Sequence, residues 1–346
     1  MTNIIEADMA WDSITRPNEI IFKHKVPESI CKLLVSVLID SPIRKSSIKN
    51  FSLASLKPVK DIAGHYCLQI EDKKWFLRIT RRKRKNPDIE DIITSYLFKS
   101  GIDVVLPILS NLYVRWEGHN YLMSVFPFVE GRHFNGTDND LVVLSLTVSR
   151  MHKILKSLVI GDKIYLAAFD TAKRLAKTKD MIADAIKTKD FYIFYERAKW
   201  VEQNCSWLKN MVESFNPYLC AMPDSQCVHG ELHLGNVIFS LDGSKAFIVD
   251  FEETPDAWFP RSFDIAYVVH RFCLDQNPSR VLLSKRLDII KHYYGALPHD
   301  LKEMMRQVCW YNIALLVDRS ARRESISPEG EYDKFVNLEK ITNNML

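Results

Sequence analysis

Residues 227–252 constrain the fold of this chain more tightly than any other segment. Two short apolar runs, 237–239 and 246–249, flank an Asp-Gly pair of the kind that closes tight turns. This pattern predicts a β-hairpin. Because Asn236 directly precedes the first run and Asp250 directly follows the second, the hairpin would bring both side chains to its open end.

The polar side chains of this segment suit one kind of ligand. Asn236 and Asp250 offer an amide oxygen and a carboxylate, and Glu231 adds a second carboxylate five residues before Asn236. Magnesium prefers such hard oxygen ligands and commonly carries phosphate oxygens in its remaining positions. The segment therefore predicts a magnesium site that handles a phosphate compound.

A zinc site is the alternative for the histidines of this segment. His229 and His233 are four residues apart with Glu231 between them, which on a helix would align two zinc ligands. Gly230 and Gly235 argue against a helix here, and no further soft ligand is evident. The pattern therefore favours magnesium.

The same segment resembles the catalytic loop of the aminoglycoside phosphotransferase and choline kinase family. Residues 229–236 read His-Gly-Glu-Leu-His-Leu-Gly-Asn, where the family usually has His-Gly-Asp-x-x-x-x-Asn. Residues 248–252, Ile-Val-Asp-Phe-Glu, are similar to the metal-binding segment of the family, and residues 263–266, Phe-Asp-Ile-Ala, to its next marker. The resemblance spans about residues 55–270.

This resemblance implies a fold class and two cofactors. The fold is α+β and bilobal, as in protein kinases, with a small antiparallel-sheet N-lobe and a larger, mainly helical C-lobe; the cofactors are ATP and Mg²⁺. The resemblance does not cover residues 1–50, where Pro27 and the apolar run after it predict a helix over 27–38, so we expect a partly helical N-terminal extension. Residues 51–123 would form the N-lobe and 124–131 the hinge. The C-lobe, 132–346, contains the catalytic loop, the metal segment and the pocket for the phosphate acceptor.

The resemblance also implies roles for single residues. Glu231 stands where the family usually has a catalytic Asp, and it would accept or orient the proton of the acceptor hydroxyl. Asn236 and Asp250 would hold the metal. His229 and Asp264 would support the catalytic loop from beneath; for Asp264 a plain helix N-cap is the alternative.

One cation of the N-lobe is the candidate for binding phosphate, and one carboxylate is the candidate partner of that cation. Arg78 lies in an apolar run, 75–79, that matches the family strand carrying a phosphate-pairing cation. Glu90 follows the helix-start signal at 86–88, in a helix that Gly101 should end, and we expect it to pair with Arg78. The alternatives are an exposed strand arginine and a first-turn surface glutamate.

The adenine site should lie where the N-lobe sheet meets the hinge. Residues 121–131 resemble the family hinge, and backbone groups of Ser124, Val125 and Phe126 would hydrogen-bond adenine. An apolar edge strand is the alternative. The loop over the phosphates would lie near residues 61–64, which contain a single glycine.

Composition excludes several classes of protein. With 346 residues, 47% of them hydrophobic and 26% charged, the chain has the make-up of a soluble globular protein large enough for two lobes. No apolar run approaches the roughly 20 residues that span a bilayer, and the N-terminus lacks a signal-peptide pattern. The seven scattered cysteines include no Cys-x-x-Cys pair, as expected of reduced thiols in a cytoplasmic protein.

A basic run is the one feature that would suit nucleic acid or an acidic membrane surface. Residues 73–85 include eight lysines and arginines. No aromatic ladder for base stacking accompanies residues 81–85, so a solvated loop is favoured and no nucleic-acid partner is expected.

Three functions remain open, led by a phosphotransferase that acts on a hydroxyl of a small molecule. The second is a catalytically weak or inactive pseudokinase that binds nucleotide or a partner, suggested by Glu231 in place of Asp. The third is a protein kinase, disfavoured because Asp-Phe-Gly and Ala-Pro-Glu segments and a clear Gly-rich loop are missing. The acceptor stays open. Asp275, Asp300, Glu303 and Asp318 would suit a cationic acceptor and the basic residues among 319–323 an anionic one, so the charges favour neither.

Overall fold

The computed structural model describes residues 24–28, 30–31, 51–55, 62–70, 72–80, 87–274, 278–295, 297, 300–322 and 329–345. These residues group into two compact units. The first, here called the sheet unit, lies within Pro17–Asn135 and Ile238–Glu252, and the second, the helical unit, within Gly136–Val237 and Glu253–Leu346.

Ten strands and nine α-helices are found in the described part of the chain. The strands are β1 (His24–Lys25), β2 (Phe51–Ser55), β3 (Gly64–Ile70), β4 (Lys73–Thr80), β5 (Leu109–Trp116), β6 (His119–Pro127), β7 (Ser225–Cys227), β8 (Val237–Phe239), β9 (Ala246–Ile248) and β10 (Trp258–Pro260). The helices are α1 (Pro87–Lys99), α2 (Asp138–Leu155), α3 (Gly161–Thr188), α4 (Ala198–Gln203), α5 (Cys205–Ser214), α6 (Ser262–Val268), α7 (Arg280–Tyr294), α8 (Leu301–Ala321) and α9 (Glu329–Met345).

The sheet unit is built on a six-stranded sheet in the order β1-β2-β3-β4-β6-β5, in which every pair is antiparallel. Strand β4 alternates between its faces as a half-buried strand should, because Trp75, Leu77 and Ile79 point into the core. Of the polar segment 71–74, which the sequence predicted as a hairpin turn, Asp72 lies in the turn and Glu71 lies outside the described residues. Lys73 and Lys74 already belong to β4, where they pair with Ile70 and Gln69 of β3. This confirms the antiparallel-sheet part of the predicted α+β class.

The chain before β2 adds to this sheet. Sequence patterns indicated no strand ahead of Phe51, yet β1 pairs with β2, and Val26 and Ile30 are buried in the same core as β4. Two residues of backbone pairing leave no periodic signal in a sequence, which explains the omission. Of the helix predicted over 27–38, the residues Glu28, Ile30 and Cys31 are helical, and the remainder lies outside the described residues.

Helix α1 packs on the sheet unit as its pattern predicts. Ile93 and Leu97, one turn apart, are fully buried. Acidic residues occupy the first turn, where they favour the helix dipole, and Gly101 follows the last turn with a φ of 77°. The predicted cap, Asn86, lies outside the described residues.

The helical unit surrounds two largely buried helices. All seven residues of α6 are buried, and so are those of the π-helical turn that continues it, Val269–Leu274. Helix α8 is buried around most of its circumference, with Trp310, Ile313 and Ala314 in its core-facing positions. This confirms the mainly helical part of the predicted fold. None of the described helices is long and apolar enough to span a bilayer.

The predicted hairpin is present as β8 and β9, which form a two-stranded sheet. Phe239 and Arg132 exchange two backbone hydrogen bonds of 2.8 and 2.9 Å, and the Ile248 N–H donates to the Asp103 carbonyl at 3.0 Å. These bonds place residues 238–252 with the sheet unit, whereas the sequence assigned them to the C-lobe range. The lobe boundaries at 50, 123 and 131 stay predictions.

The close approach at Gly131 gives a test of this packing. A Cβ atom at Gly131 would lie 2.5 Å from the Phe239 carbonyl oxygen and 2.5 Å from a methyl group of Ile238. We expect Gly131→Ala to destabilise the protein by about 1–3 kcal/mol, measured as a lower urea midpoint at unchanged m value. The control is Gly64→Ala, where the nearest atom is 3.5 Å away. Equal midpoints for the two variants would contradict this packing.

Candidate active site

Arg78 lies between two carboxylates in the sheet unit. Its Nη2 donates to Glu90 Oε1 at 3.0 Å, which is the pairing expected from the sequence, and its Nη1 forms an ion pair with Asp250 Oδ1. Arg78 and Glu90 are almost completely buried, while the Asp250 side chain is 31% exposed. One guanidinium therefore ties the predicted metal-binding carboxylate to β4 and α1.

The charges of this cluster favour a cation. Burial alone would lower the pKa of Arg78, but Asp250, Glu90 and Glu252 raise it above its usual value, so the guanidinium stays charged. One positive side chain thus faces three acidic ones. An additional divalent cation would be attracted to such a cluster.

The backbone at Asp250 is unusual. Its φ is +65°, in the left-handed region that residues with a side chain rarely adopt. Such strain costs on the order of 1–3 kcal/mol and is concentrated at functional sites. It occurs here at the residue for which the sequence predicted a metal-binding role.

Asp264 anchors the loop 229–236 within the helical unit. The fully buried carboxylate accepts hydrogen bonds from the His229 and Gly230 N–H groups, both at 2.9 Å. His152 Nε2 lies 2.8 Å from the same carboxylate and its Nδ1 lies 2.9 Å from the Tyr294 hydroxyl. Asp264 is the third residue of α6, so it is not the N-cap that was the alternative.

Asp264 is held in its ionised form. Burial would raise its pKa, but the hydrogen bond and charge of His152, the charge of His229 and the Gly230 N–H outweigh this and lower the pKa below its usual value. His152, expected from the sequence only to pack or cap, therefore also contributes to the support of the loop. No motif links His152 to a residue 112 positions later.

The loop itself is shaped by His229 and Gly230. His229 is fully buried, its Nδ1 accepts the Glu231 N–H at 3.3 Å, and its carbonyl accepts the Thr254 hydroxyl at 3.0 Å. Gly230 has a φ of 87°, and a Cβ there would lie 2.8 Å from that of Ala257. The loop therefore requires glycine at this position.

Asn236 is oriented by the same loop. Its Nδ2 donates to the Glu231 carbonyl at 2.9 Å, and its N–H donates to the His233 carbonyl at 3.0 Å. The amide nitrogen is therefore engaged and Oδ1 is the atom able to ligate a cation. An amide oxygen is a hard donor of the kind that magnesium accepts, and so is the Asp250 carboxylate of the sheet unit. Binding of one metal ion by both residues stays a prediction. Among the described residues, no three His, Cys, Asp or Glu side chains converge as a metal site.

Glu231 lines a cavity of about 240 Å³ within the helical unit. Phe259, Tyr267 and Tyr311 form an aromatic wall. Burial, together with the charges of Glu231 and Glu253, raises the pKa of Tyr267 well above its usual value, so its phenol stays neutral. The charged residues that line the cavity are Glu231, Glu253, Asp256, Arg319, Glu331 and Lys334.

Four of these charged residues form two ion pairs. Arg319 lies 3.6 Å from Glu253 and Lys334 lies 2.6 Å from Glu331. The cavity was not predicted from the sequence because Tyr267 and Tyr311 occur in helices whose apolar patterns indicate only a buried core. Their polar hydroxyls at otherwise apolar positions were the available signal.

The three residues predicted for adenine binding lie inside β6. Ser124, Val125 and Phe126 pair with Arg78, Leu77 and Phe76 of β4, and the Val125 carbonyl accepts the Ile108 N–H at 2.7 Å. The strand continues to Pro127, so it extends into the predicted hinge. Adenine recognition by these backbone groups stays a prediction.

The predicted site residues thus form two sets, each brought together within its own unit. The sheet unit holds Arg78, Glu90 and Asp250 in direct contact. In the helical unit, His229, Glu231 and Asn236 share the loop that Asp264 anchors. These three loop residues were all indicated by one short sequence motif, residues 229–236.

The chain belongs to the phosphotransferase enzyme family. A model of this family matches residues 57–295, well over half of the sequence. The matched range includes the Arg78 cluster and the whole catalytic loop. No curated protein matches the chain in sequence.

Solved structures show the same protein-kinase-like fold. A spectinomycin phosphotransferase in complex with ADP and spectinomycin is similar with a TM-score of 0.61 and 15% identity, covering 91% of this chain and 98% of the other. A Plasmodium vivax ethanolamine kinase is similar with a TM-score of 0.55 and 13% identity, covering 95% and 92%. At these identities the likeness concerns the fold, and it confirms the predicted α+β class.

Removing the charge of Asp264 tests the anchor. In Asp264→Asn an amide replaces one of the two acceptor oxygens, leaving a buried N–H of the loop without an acceptor. We expect a loss of roughly 1–3 kcal/mol in the free energy of unfolding, measured by urea denaturation at pH 7. The control is Asp288→Asn, at an exposed position of α7.

The effect of Asp264→Asn should also depend on pH. Because folding lowers the pKa of Asp264, its stabilisation is complete above the unfolded value of about 4 and is lost as the pH falls through the folded value. The stability difference between wild type and variant should therefore shrink below about pH 4. A difference that is constant with pH would contradict the ionised anchor.

Proposed function

We propose that the protein is an ATP- and magnesium-dependent phosphotransferase that transfers the γ-phosphoryl group to a hydroxyl of a small molecule. The observation that carries this proposal is the Glu231 carboxylate, which lines a cavity of about 240 Å³ and belongs to a loop anchored by Asp264. Membership of the phosphotransferase enzyme family supports the reaction class.

The phosphate side of the reaction depends on charge and position. Asn236 Oδ1 and the Asp250 carboxylate would hold magnesium, which when bound neutralises charge on the phosphates. Arg78, fixed by Glu90, would grip phosphate oxygens through its guanidinium. Phosphoryl transfer asks little covalent chemistry of the protein, so this arrangement supplies most of what is required.

The acceptor side depends on Glu231 and the cavity next to it. Glu231 would accept or orient the proton of the acceptor hydroxyl, which requires hydrogen-bond reach. The neutral phenols of Tyr267 and Tyr311 would donate hydrogen bonds to polar groups of the acceptor. A cavity of about 240 Å³ suits a small molecule.

The charges of the cavity favour a cationic acceptor over an anionic one. Four carboxylates and two cationic side chains line it. Of the charged residues that the sequence offered for acceptor recognition, Arg319 lines the cavity, whereas Asp300, Glu303 and Asp318 do not, and Asp275 lies outside the described residues. Asp256 is therefore a better candidate for contact with an acceptor amine.

Removing the predicted metal ligand tests the reaction. We expect Asp250→Ala to lower phosphate transfer from ATP by at least about a hundredfold, because charge stabilisation at the phosphates is lost. The assay couples ADP release to a panel of hydroxyl-bearing metabolites and aminoglycosides. The matched control is Asp242→Ala, at the turn of the same hairpin.

Two outcomes would contradict the proposal. Undiminished transfer by Asp250→Ala would remove Asp250 from the reaction. Magnesium-dependent ATP binding by the wild type without transfer to any acceptor would instead favour the pseudokinase alternative, in which Glu231 no longer supports catalysis.

A second substitution tests the charge of the acceptor. We expect Asp256→Asn to raise KM for a cationic acceptor roughly tenfold with little change in kcat, because a charge-assisted hydrogen bond is lost. Initial rates at saturating ATP measure both constants. Asp300→Asn, outside the cavity lining, is the control. An unchanged KM for amine acceptors would count against a cationic acceptor bound by Asp256.

A further inference from the structure

The ring of His233 faces the carboxylate of Glu231. His233 Nε2 lies 3.7 Å from Glu231 Oε1. We propose that His233 is a positioning residue that holds this carboxylate in place for phosphoryl transfer, an inference that rests on the function proposed above. His233 does not touch the reacting atoms in this role and acts through Glu231.

The backbone brings the two side chains to the same side. The His233 N–H donates to the Glu231 carbonyl at 2.9 Å, which closes a tight turn over Leu232. Leu232 is fully buried and points into the core. The 3.7 Å approach of His233 Nε2 to Glu231 Oε1 shows that the two side chains lie on the same side of this turn.

The ring of His233 is itself fixed. Its Nδ1 accepts the Gly235 N–H at 3.0 Å, so the ring caps the 3₁₀ turn Leu234–Asn236. Because Nδ1 uses its lone pair in this bond, the proton of the neutral ring is on Nε2. The Nε2–H group of a ring that is only 14% exposed therefore points its positive end at Glu231 Oε1 from 3.7 Å, which is an electrostatic contact rather than a hydrogen bond.

A glutamate at this position needs such a partner. The Glu231 side chain is 38% exposed and has one more rotatable bond than the usual aspartate, so more conformational freedom must be restricted to hold it. A misplacement of about 1 Å at a catalytic group costs on the order of a hundredfold in rate. Aspartate would withdraw the carboxylate by about one C–C bond, about 1.5 Å, out of reach of His233.

The test separates the two roles of His233. Asparagine accepts hydrogen bonds well at a cap, so His233→Asn keeps an acceptor for Gly235, but its side chain is too short to reach Glu231. We expect this variant to retain the melting temperature of the wild type, to lose about tenfold in kcat and to keep KM for ATP within about twofold. The control is His292→Ala, at an exposed position of α7.

A double-mutant cycle with Glu231→Asp gives the decisive measurement. Because the shorter carboxylate is beyond the reach of His233, adding His233→Asn to Glu231→Asp should change kcat by less than about twofold. Losses that multiply in the double variant, or a His233→Asn variant as fast as the wild type, would overturn the positioning role while leaving the proposed function in place. A wild-type protein that transfers no phosphate would overturn both.

Discussion

The buried carboxylate of Asp264 is the interaction on which the rest of the candidate site depends. A carboxylate removed from water must be fully hydrogen-bonded, and here the loop supplies two N–H groups and α2 supplies His152. The loop cannot move without leaving this charge unsatisfied. The positions of Glu231 and Asn236, to which we assign roles in the proposed reaction, are therefore fixed by a fully buried residue of the helical unit.

In the sheet unit the buried charge is positive and belongs to Arg78. Arg78 is buried, and it stays charged because Glu90 and Asp250 approach it from two sides. Removing either carboxylate would leave the guanidinium with a single close partner. The same bonds hold Asp250 beside β4, so one ion network both satisfies a buried cation and positions a predicted metal ligand.

Much of the fold and of the candidate site could be predicted because the signals are local. The β8–β9 hairpin, the glycine that follows α1 and the motif containing Glu231 each occupy a few consecutive residues. The pairing of Arg78 with Glu90 followed from one resemblance. Contacts set only by the tertiary fold could not be predicted. Strand β1 is two residues long, and His152 meets Asp264 across 112 positions. Tyr311, on the cavity wall, has the periodicity of an ordinary core residue.

The left-handed backbone conformation at Asp250 lowers stability at a residue to which we assign a role in the reaction. Glycine would adopt a φ of +65° with little strain, so the conformation favours a residue that has no carboxylate at all. At position 250 the chain therefore has a side chain in a backbone conformation that favours glycine. The proposed metal ligand would therefore be carried at a cost in stability, and a glycine at this position would remove the backbone strain together with the carboxylate.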